Sequence, residues 1–282
     1  MVENRRFLNL LAHLVLILGV AFVAFPVYIA LIASTHGQND FLSSLIPLLP
    51  GHDTIRNYSA MMTQGLASSG APPLWLMLGN SLIMALSISI GKIAISIISA
   101  FAIVYFRFPG RMIAFWLIFV TLMLPVEVRI LPTYKVVAEL GMLNTYAGLT
   151  VPLIASATAT FLFRQVFLTI PEELMEAARI DGAGPMKFFW DILLPLSRTN
   201  IAALFVILFI YGWNQYLWPL LVTTGTDHYT IVLGIKRMAD IADQQPEWNF
   251  IMATVVLAMV PPVLVVIFMQ RLFVKGLIET EK

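Results

Sequence analysis

Apolar residues run through this chain in long uncharged blocks, and polar text separates the blocks. Phe7 to Gln38 carries no charge, more than the about 20 residues a membrane span needs, so Leu11 to Ser34 predicts a first transmembrane helix bent at Pro26. The apolar core of a cleaved signal peptide usually covers only about 7 to 15 residues, so this helix reads as retained. Thr35 to Trp75 turns to Gly, Ser, Pro, Asn and Asp and predicts an outer loop, residues 35–75, with Trp75 as an interfacial anchor. Leu76 to Val104 predicts a second span whose only charge is Lys92, and Arg107 and Arg111 bracket a tight turn after it. Met112 to Val126 is a shorter block that ends early or continues through an irregular segment, because Pro125, Glu127, Arg129 and Pro132 follow closely. A turn ending at Gly141 leads through Met142 to Leu149 into a fourth span that finishes near Phe163, with Arg164 beyond it. Ile201 to Val222 predicts the fifth span, residues 223–249 a second outer loop with a solvated charged face, and Phe250 to Gln270 a sixth span bent at Pro261 and Pro262.

Residues 165–199 break this pattern, and within them Pro171 to Pro195 concentrates charge, helix punctuation and small residues. Thr169 followed three residues later by Glu172 predicts a capping box, with Pro171 in the first turn. The helix then runs through Glu173, Glu176, Ala177, Ala178 and Ile180 until Gly182 and Gly184 stop it. Pro185 opens a second short helix carrying Lys187, Phe188, Phe189 and Trp190, which Pro195 closes. The bend between them leaves Ala177, Ala178 and Gly182 thinly covered, so another protein can approach closely, flanked by Phe188, Phe189 and Trp190. The same features also describe an amphipathic connector resting on a membrane surface.

Composition agrees with the block pattern: 59% of the residues are hydrophobic and 12% charged, with a mean hydropathy of +0.86, where soluble domains carry about 25% charge. This is an all-α integral membrane protein, and the even spread of the blocks favours one membrane domain over residues 1–282. The net charge of +1 gives no reason to expect nucleic-acid binding, and the lack of cysteine removes disulfides and thiolate metal sites. The four histidines show no metal-ligand spacing, and no catalytic nucleophile motif occurs. With six spans and both termini inside, Arg5, Arg6, Arg107, Arg111, Arg164, Arg179, Lys187, Arg198, Arg271, Lys275 and Lys282 are cytoplasmic, eleven of the 17 basic residues. Arg56, Arg129, Lys135, Lys236 and Arg237 are external, so the positive-inside rule is obeyed and the polar island faces the cytoplasm.

Several residues are candidates for a translocation path. Lys92 lies too deep in its span to snorkel out, so it either faces a cavity or pairs with a carboxylate inside the bundle. Glu127 and Arg129 are either pathway residues or a loop ion pair. Asn214 and Gln215 are costly in lipid without partners, so they either turn inward or bond between helices near the outer interface, where Trp218 suits the aromatic belt.

The spacing Glu176-Ala177-Ala178, three residues, Gly182, nine residues, Ile192-Leu193-Leu194-Pro195 resembles the EAA loop of permease subunits of bacterial ABC importers of the maltose type. The resemblance implies the type I ABC importer permease fold with six transmembrane helices. It also makes the island a coupling helix seated in a groove of an ATP-binding subunit. That role falls to Glu176, Ala177, Ala178, Asp181 and Gly182, with Ile192, Leu194 and Pro195 shaping the return to the membrane, and the Trp213-Asn214-Gln215 region lining the path. Val2 to Arg6, Leu122 to Ile130, Ser156 to Gln165 and Gln270 to Lys282 are similar to second permease subunits of sn-glycerol-3-phosphate importers, with departures at Gly37 to Pro73 and Asp240 to Glu247. Implied partners are a homologous second permease subunit, a dimeric ATP-binding subunit that holds ATP and Mg, a periplasmic solute-binding protein and inner-membrane lipid. The implied cargo is sn-glycerol-3-phosphate or a related glycerophosphodiester, with a neutral sugar or oligosaccharide as the alternative. No phosphate-cradling G-x-x-x-x-G-K-[ST] loop occurs, so energy comes from a partner and the chain itself is not an enzyme. A stand-alone ion-coupled transporter or channel would need inverted repeats and buried carboxylates, and neither stands out.

Overall fold

The computed structural model describes residues 6–42, 48–121, 124, 126–240 and 245–279. Among them the secondary structure is helical apart from one bridge between Leu66 and Ala71. The helices are α1 (Arg6–Ala33), α2 (Thr54–Thr63), α3 (Leu74–Tyr105), α4 (Arg111–Val120), α5 (Val126–Glu139), α6 (Tyr146–Thr150) and α7 (Ala157–Leu168). They continue as α8 (Glu172–Ile180), α9 (Pro185–Phe188), α10 (Leu194–Trp213), α11 (Leu217–Val222), α12 (Ile231–Ala239) and α13 (Trp248–Glu279).

Among the described residues four stretches are long and apolar enough to cross a bilayer: Asn9–Ala33, Leu74–Tyr105, Pro185–Trp213 and Trp248–Gln270. A fifth is a bent pair, Tyr146–Leu153 with Ala157–Leu168, angled at 47°. Ser156 causes that break, since its hydroxyl caps α7 by accepting from the Ala159 amide at 3.2 Å, which requires extended backbone at the cap. The expected third span is a ten-residue helix, α4, about 15 Å long and half the depth of a hydrocarbon core. The expected fifth span, Ile201 to Val222, is two helices. Asn214 ends α10, and α11 restarts at Leu217 with Pro219 in its first turn, where a missing N–H costs little.

The chain divides into two compact units. One comprises the described residues of 1–75 and 234–260, and joins most of both stretches that the sequence assigns to the outside. The Asn57 amide donates to the Ser34 and His36 carbonyls at 2.9 and 2.8 Å, and its oxygen accepts from Asn249 at 3.1 Å. Met61, Leu66, Ala71, Met238 and Ile251 bury the apolar side of this unit.

The other unit, the described residues of 76–233 and 261–282, carries the candidate sites. Ile97, Ala100 and Phe101 of α3 pack with Phe163 and Phe167 of α7 and Leu204 and Leu208 of α10 in one core. Met84, Ile88, Val137, Leu149, Trp218 and Val222 form a second. Beside the second core α3 and α10 approach closely: a Cβ on Gly212 would lie 2.9 Å from the Ala85 Cα. Asn80 ties α3 to the segment before α12, donating to the Asp227 and Tyr229 carbonyls at 2.8 and 3.0 Å while accepting from the Tyr146 hydroxyl at 2.7 Å.

Candidate functional sites: an elbow and a cationic cavity

The polar island folds as the glycine-turned elbow its punctuation predicts, but it begins differently. Thr169 does not cap α8. It ends α7, and its hydroxyl donates to the Val166 carbonyl at 2.7 Å. Pro171, extended at φ −58° and ψ 136°, occupies the cap position instead, so the first turn begins at Glu172. Glu172 and Glu173 in that turn and Arg179 in the last one complement the helix dipole. At the far end Gly182 takes φ +73°, and two bonds close a Schellman motif: the Gly182 amide to the Arg179 carbonyl at 3.0 Å, and the Ala183 amide to the Ala178 carbonyl at 2.8 Å.

Side-chain directions on the elbow divide its residues into two groups. Glu176, Ala177, Asp181 and Gly182 are exposed, and Ile180 and Trp190 beside them are 86% and 62% exposed. Ala178 faces inward, and so do Phe188 and Phe189, which were expected to flank an outer contact. Phe189 meets Phe101 at 4.9 Å between ring centroids, and Phe188 meets Tyr105 at 5.2 Å, so these rings fasten the elbow to the end of α3. Large aromatics at a bend contribute more by burial against a neighbouring helix than by exposure. Ala178 is therefore a packing residue of the elbow.

Pro195 does not close the second helix either. A π-helical turn at Phe189–Leu193 joins α9 to α10, and the Leu194 amide donates five residues back to the Phe189 carbonyl. The wider turn shifts the hydrogen-bond ladder just before the position where Pro195 has no N–H to give. Pro185 to Trp213 is thus one continuous shaft. Ile192 and Leu194 are half-buried along it and Pro195 is exposed.

The shaft's far end reaches the second site. Lys92, 7% exposed and at least about 20 Å from either end of α3, places its Nζ 3.9 Å from the centre of the Tyr211 ring. Both residues line a cavity of about 110 Å³ with Arg129, Thr133, Gln215 and Trp218. Gln215 donates to the Tyr211 carbonyl at 3.1 Å, and Trp218 is pinned by its Nε1–H donating to the Gly148 carbonyl at 3.0 Å. Trp218 is buried here and does not sit in an interfacial belt. Among the described residues no carboxylate pairs with Lys92 or Arg129; the Glu127 side chain lies outside them. Lys92, Arg129, Gln215 and Trp218 therefore converge, while Asn214 is exposed at the end of α10. Tyr211 escaped the sequence reading, although it lies four residues before Gln215, one helical turn away on the same face.

The comparisons with known proteins agree with this geometry. Residues 92–279 match the model of the family described as binding-protein-dependent transport system inner membrane component. Over all 282 residues, and the full length of each relative, the chain is 62% identical to the sn-glycerol-3-phosphate transport system permease protein UgpE of Agrobacterium fabrum and 57% identical to the protein of that name from Salmonella typhi. Among solved structures, a chain of a bacterial ABC transporter involved in the import of the acidic polysaccharide alginate matches with a TM-score of 0.82, covering 96% of this chain and 99% of that one at 18% identity, and so shares its fold. Two thirds of the sequence under the family model, and full-length relatives well above half identical, establish that the chain belongs to the inner membrane components of binding-protein-dependent transport systems.

Proposed function

We propose that this chain is one permease subunit of an ATP-driven importer in the bacterial inner membrane, and that its cargo is sn-glycerol-3-phosphate or a related glycerophosphodiester. The observation that carries the reading is the unbroken shaft from the elbow to the cavity. Pro185–Trp213 spans 29 residues, about 43 Å of helix, with Gly182 turning the chain at one end and Tyr211 facing Lys92 at the other. A force applied at the elbow reaches the cavity along this shaft, whose base Phe188 and Phe189 fasten to α3.

The force comes from a dimeric ATP-binding subunit that holds ATP and Mg. Its two grooves need two elbows and this chain offers one, so a homologous permease subunit supplies the other half of the path. Residues 165–199 lie in the cytoplasm with both termini, and residues 35–75 and 223–249 lie outside, where a periplasmic solute-binding protein delivers cargo. Each nucleotide state then needs only to favour one arrangement of the helices over the other. The chain contributes binding and movement to this cycle and catalyses no step of it. The names of the full-length relatives support a phosphorylated cargo, and two cations at the cavity suit an anion. A neutral oligosaccharide would gain nothing from a buried lysine that has no carboxylate partner among the described residues and whose desolvation is costly.

Purifying the tagged chain from native membranes tests the assembly: an ATP-binding subunit and a second permease should accompany it. Proteoliposomes holding that complex and its binding protein should accumulate sn-glycerol-3-phosphate when ATP is supplied. Isolation of the chain alone, or no uptake by the complete assembly, refutes the reading.

A further inference from the structure

We infer that the cavity between α3, α5 and α10 is a phosphoryl-recognition subsite, in which Lys92 and Arg129 bind the charged group of the cargo as it passes. This rests on the importer reading above and adds what the path recognises and with which side chains. Two cations lining one small cavity, with no carboxylate partner among the described residues, repel each other, and Lys92, the buried one, also loses solvation. An anion is the ligand that relieves both costs. The volume of about 110 Å³ is room for a few waters or a phosphoryl group, and the polar residues Thr133 and Gln215 also line it.

Tyr211 gives the site a resting state. With no anion present the ring holds the Lys92 ammonium at 3.9 Å through its π face, a weak attraction in place of a counter-ion. A phosphoryl oxygen offers a charge-assisted hydrogen bond, roughly twice as strong as a neutral one, and draws Lys92 off the ring. Because Tyr211 belongs to the shaft, arrival of the anion loosens α3 from α10 at the point where the elbow's motion is received. Recognition of the charge and release of the helix contact are one event.

The test uses the complete transporter in proteoliposomes with saturating binding protein and sn-glycerol-3-phosphate as the probe. Lys92→Met and Arg129→Gln should each lower uptake about tenfold, as expected for one charge-assisted contact, and Lys92→Arg should retain most of it. Arg129 is exposed, so its replacement keeps the test valid if Lys92→Met fails to insert. Wild-type uptake with both neutral variants within twofold of it, or Lys92→Arg as impaired as Lys92→Met, overturns the subsite alone. No uptake by the wild type overturns the importer reading with it. A lipid headgroup carries the same phosphoryl chemistry, so the series is repeated in phosphatidylcholine and in phosphatidylglycerol-rich vesicles. Equal defects in both support the cargo assignment, and a defect confined to one overturns it in favour of lipid.

Discussion

Substituting Gly182 separates a glycine kept for its backbone from a glycine kept for what docks on it. At φ +73° a residue with a Cβ costs about 1–2 kcal/mol, and asparagine less, because its short side chain tolerates the left-handed region. Yet a Cβ at 182 meets nothing within 4 Å in this chain, so bulk adds no clash of its own. The two Schellman bonds use backbone atoms only and survive in every variant. If the turn alone matters, function should follow backbone cost: Gly182→Asn nearly normal, Gly182→Ala and Gly182→Trp impaired alike. If an ATP-binding subunit packs on the bend, function should follow size: Gly182→Ala mildest, Gly182→Asn intermediate, Gly182→Trp worst. The account predicts the size order, with Gly182→Trp inserted at normal abundance but cargo-stimulated ATP hydrolysis in proteoliposomes below about a tenth of wild type. Normal stimulated hydrolysis in Gly182→Trp would refute the reasoning.

Other outcomes follow from the packing and from the outer segment. Gly212→Leu should lower the melting temperature of the detergent-solubilised protein, since overpacking against the Ala85 backbone costs about 1–3 kcal/mol, whereas Gly79→Leu on the same bundle meets nothing and should be near neutral. Equal melting points would contradict the close approach of α3 and α10. Trp218→Phe puts a smaller aromatic ring in place of the indole and leaves the Gly148 carbonyl without its donor, a loss of about 1–3 kcal/mol for the hydrogen bond by the same measurement. In the outer segment both His36 ring nitrogens face acceptors, Asp40 at 2.9 Å and the Leu49 carbonyl at 2.8 Å, which the imidazolium satisfies. Partial burial pulls His36 down, but the Leu49 carbonyl, Asp40 and Asp53 outweigh it and raise it above its ordinary 6.5. The stability it lends is therefore complete below pH 6.5 and lost as pH rises through the raised value. Asp40, lowered by its bond to His36 from an ordinary 3.8, contributes above that pH and loses its contribution as pH falls through the lowered value. Hydrogen-exchange protection of His36, Gly37 and Asp53, corrected for the base-catalysed intrinsic rate, should fall on going from pH 6.5 to 8.5, and His36→Gln should flatten that response.

How much of this was legible differs from element to element. The spans Asn9–Ala33, Leu74–Tyr105 and Trp248–Gln270 match their apolar blocks within two residues, because a bilayer selects length and apolarity and both are written in one dimension, whereas α1 starts at Arg6 and α13 runs on past Arg271 and Lys275 to Glu279. Apolar runs say less about breaks. Ser156 and the Asn214–Pro219 stretch carried cap and proline signals inside their blocks, but a continuous hydrophobic count outweighed them. At the elbow, Gly182 and Pro185 made the turn readable, because left-handed backbone and a helical first turn are local demands. The direction of Ala178, Phe188 and Phe189 was not readable, since it depends on where the end of α3 lies. Lys92, Arg129, Gln215 and Trp218 each stood out as a polar or aromatic residue in apolar surroundings. Their convergence on one cavity, with Tyr211 as the cover of Lys92, is a long-range fact that spacing along the chain does not contain.

The central claim, that the outer face of the elbow receives a separate motor, has a direct measurement because the chain contains no cysteine of its own. Single cysteines placed at exposed Ala177 and at inward-facing Ala178 carry a maleimide-linked photoreactive group, and native membranes are then irradiated. The account predicts a cross-link from Ala177→Cys to the ATP-binding subunit and little or none from Ala178→Cys. Equal labelling at both positions, or an Ala177→Cys product that contains no ATP-binding subunit, would contradict it.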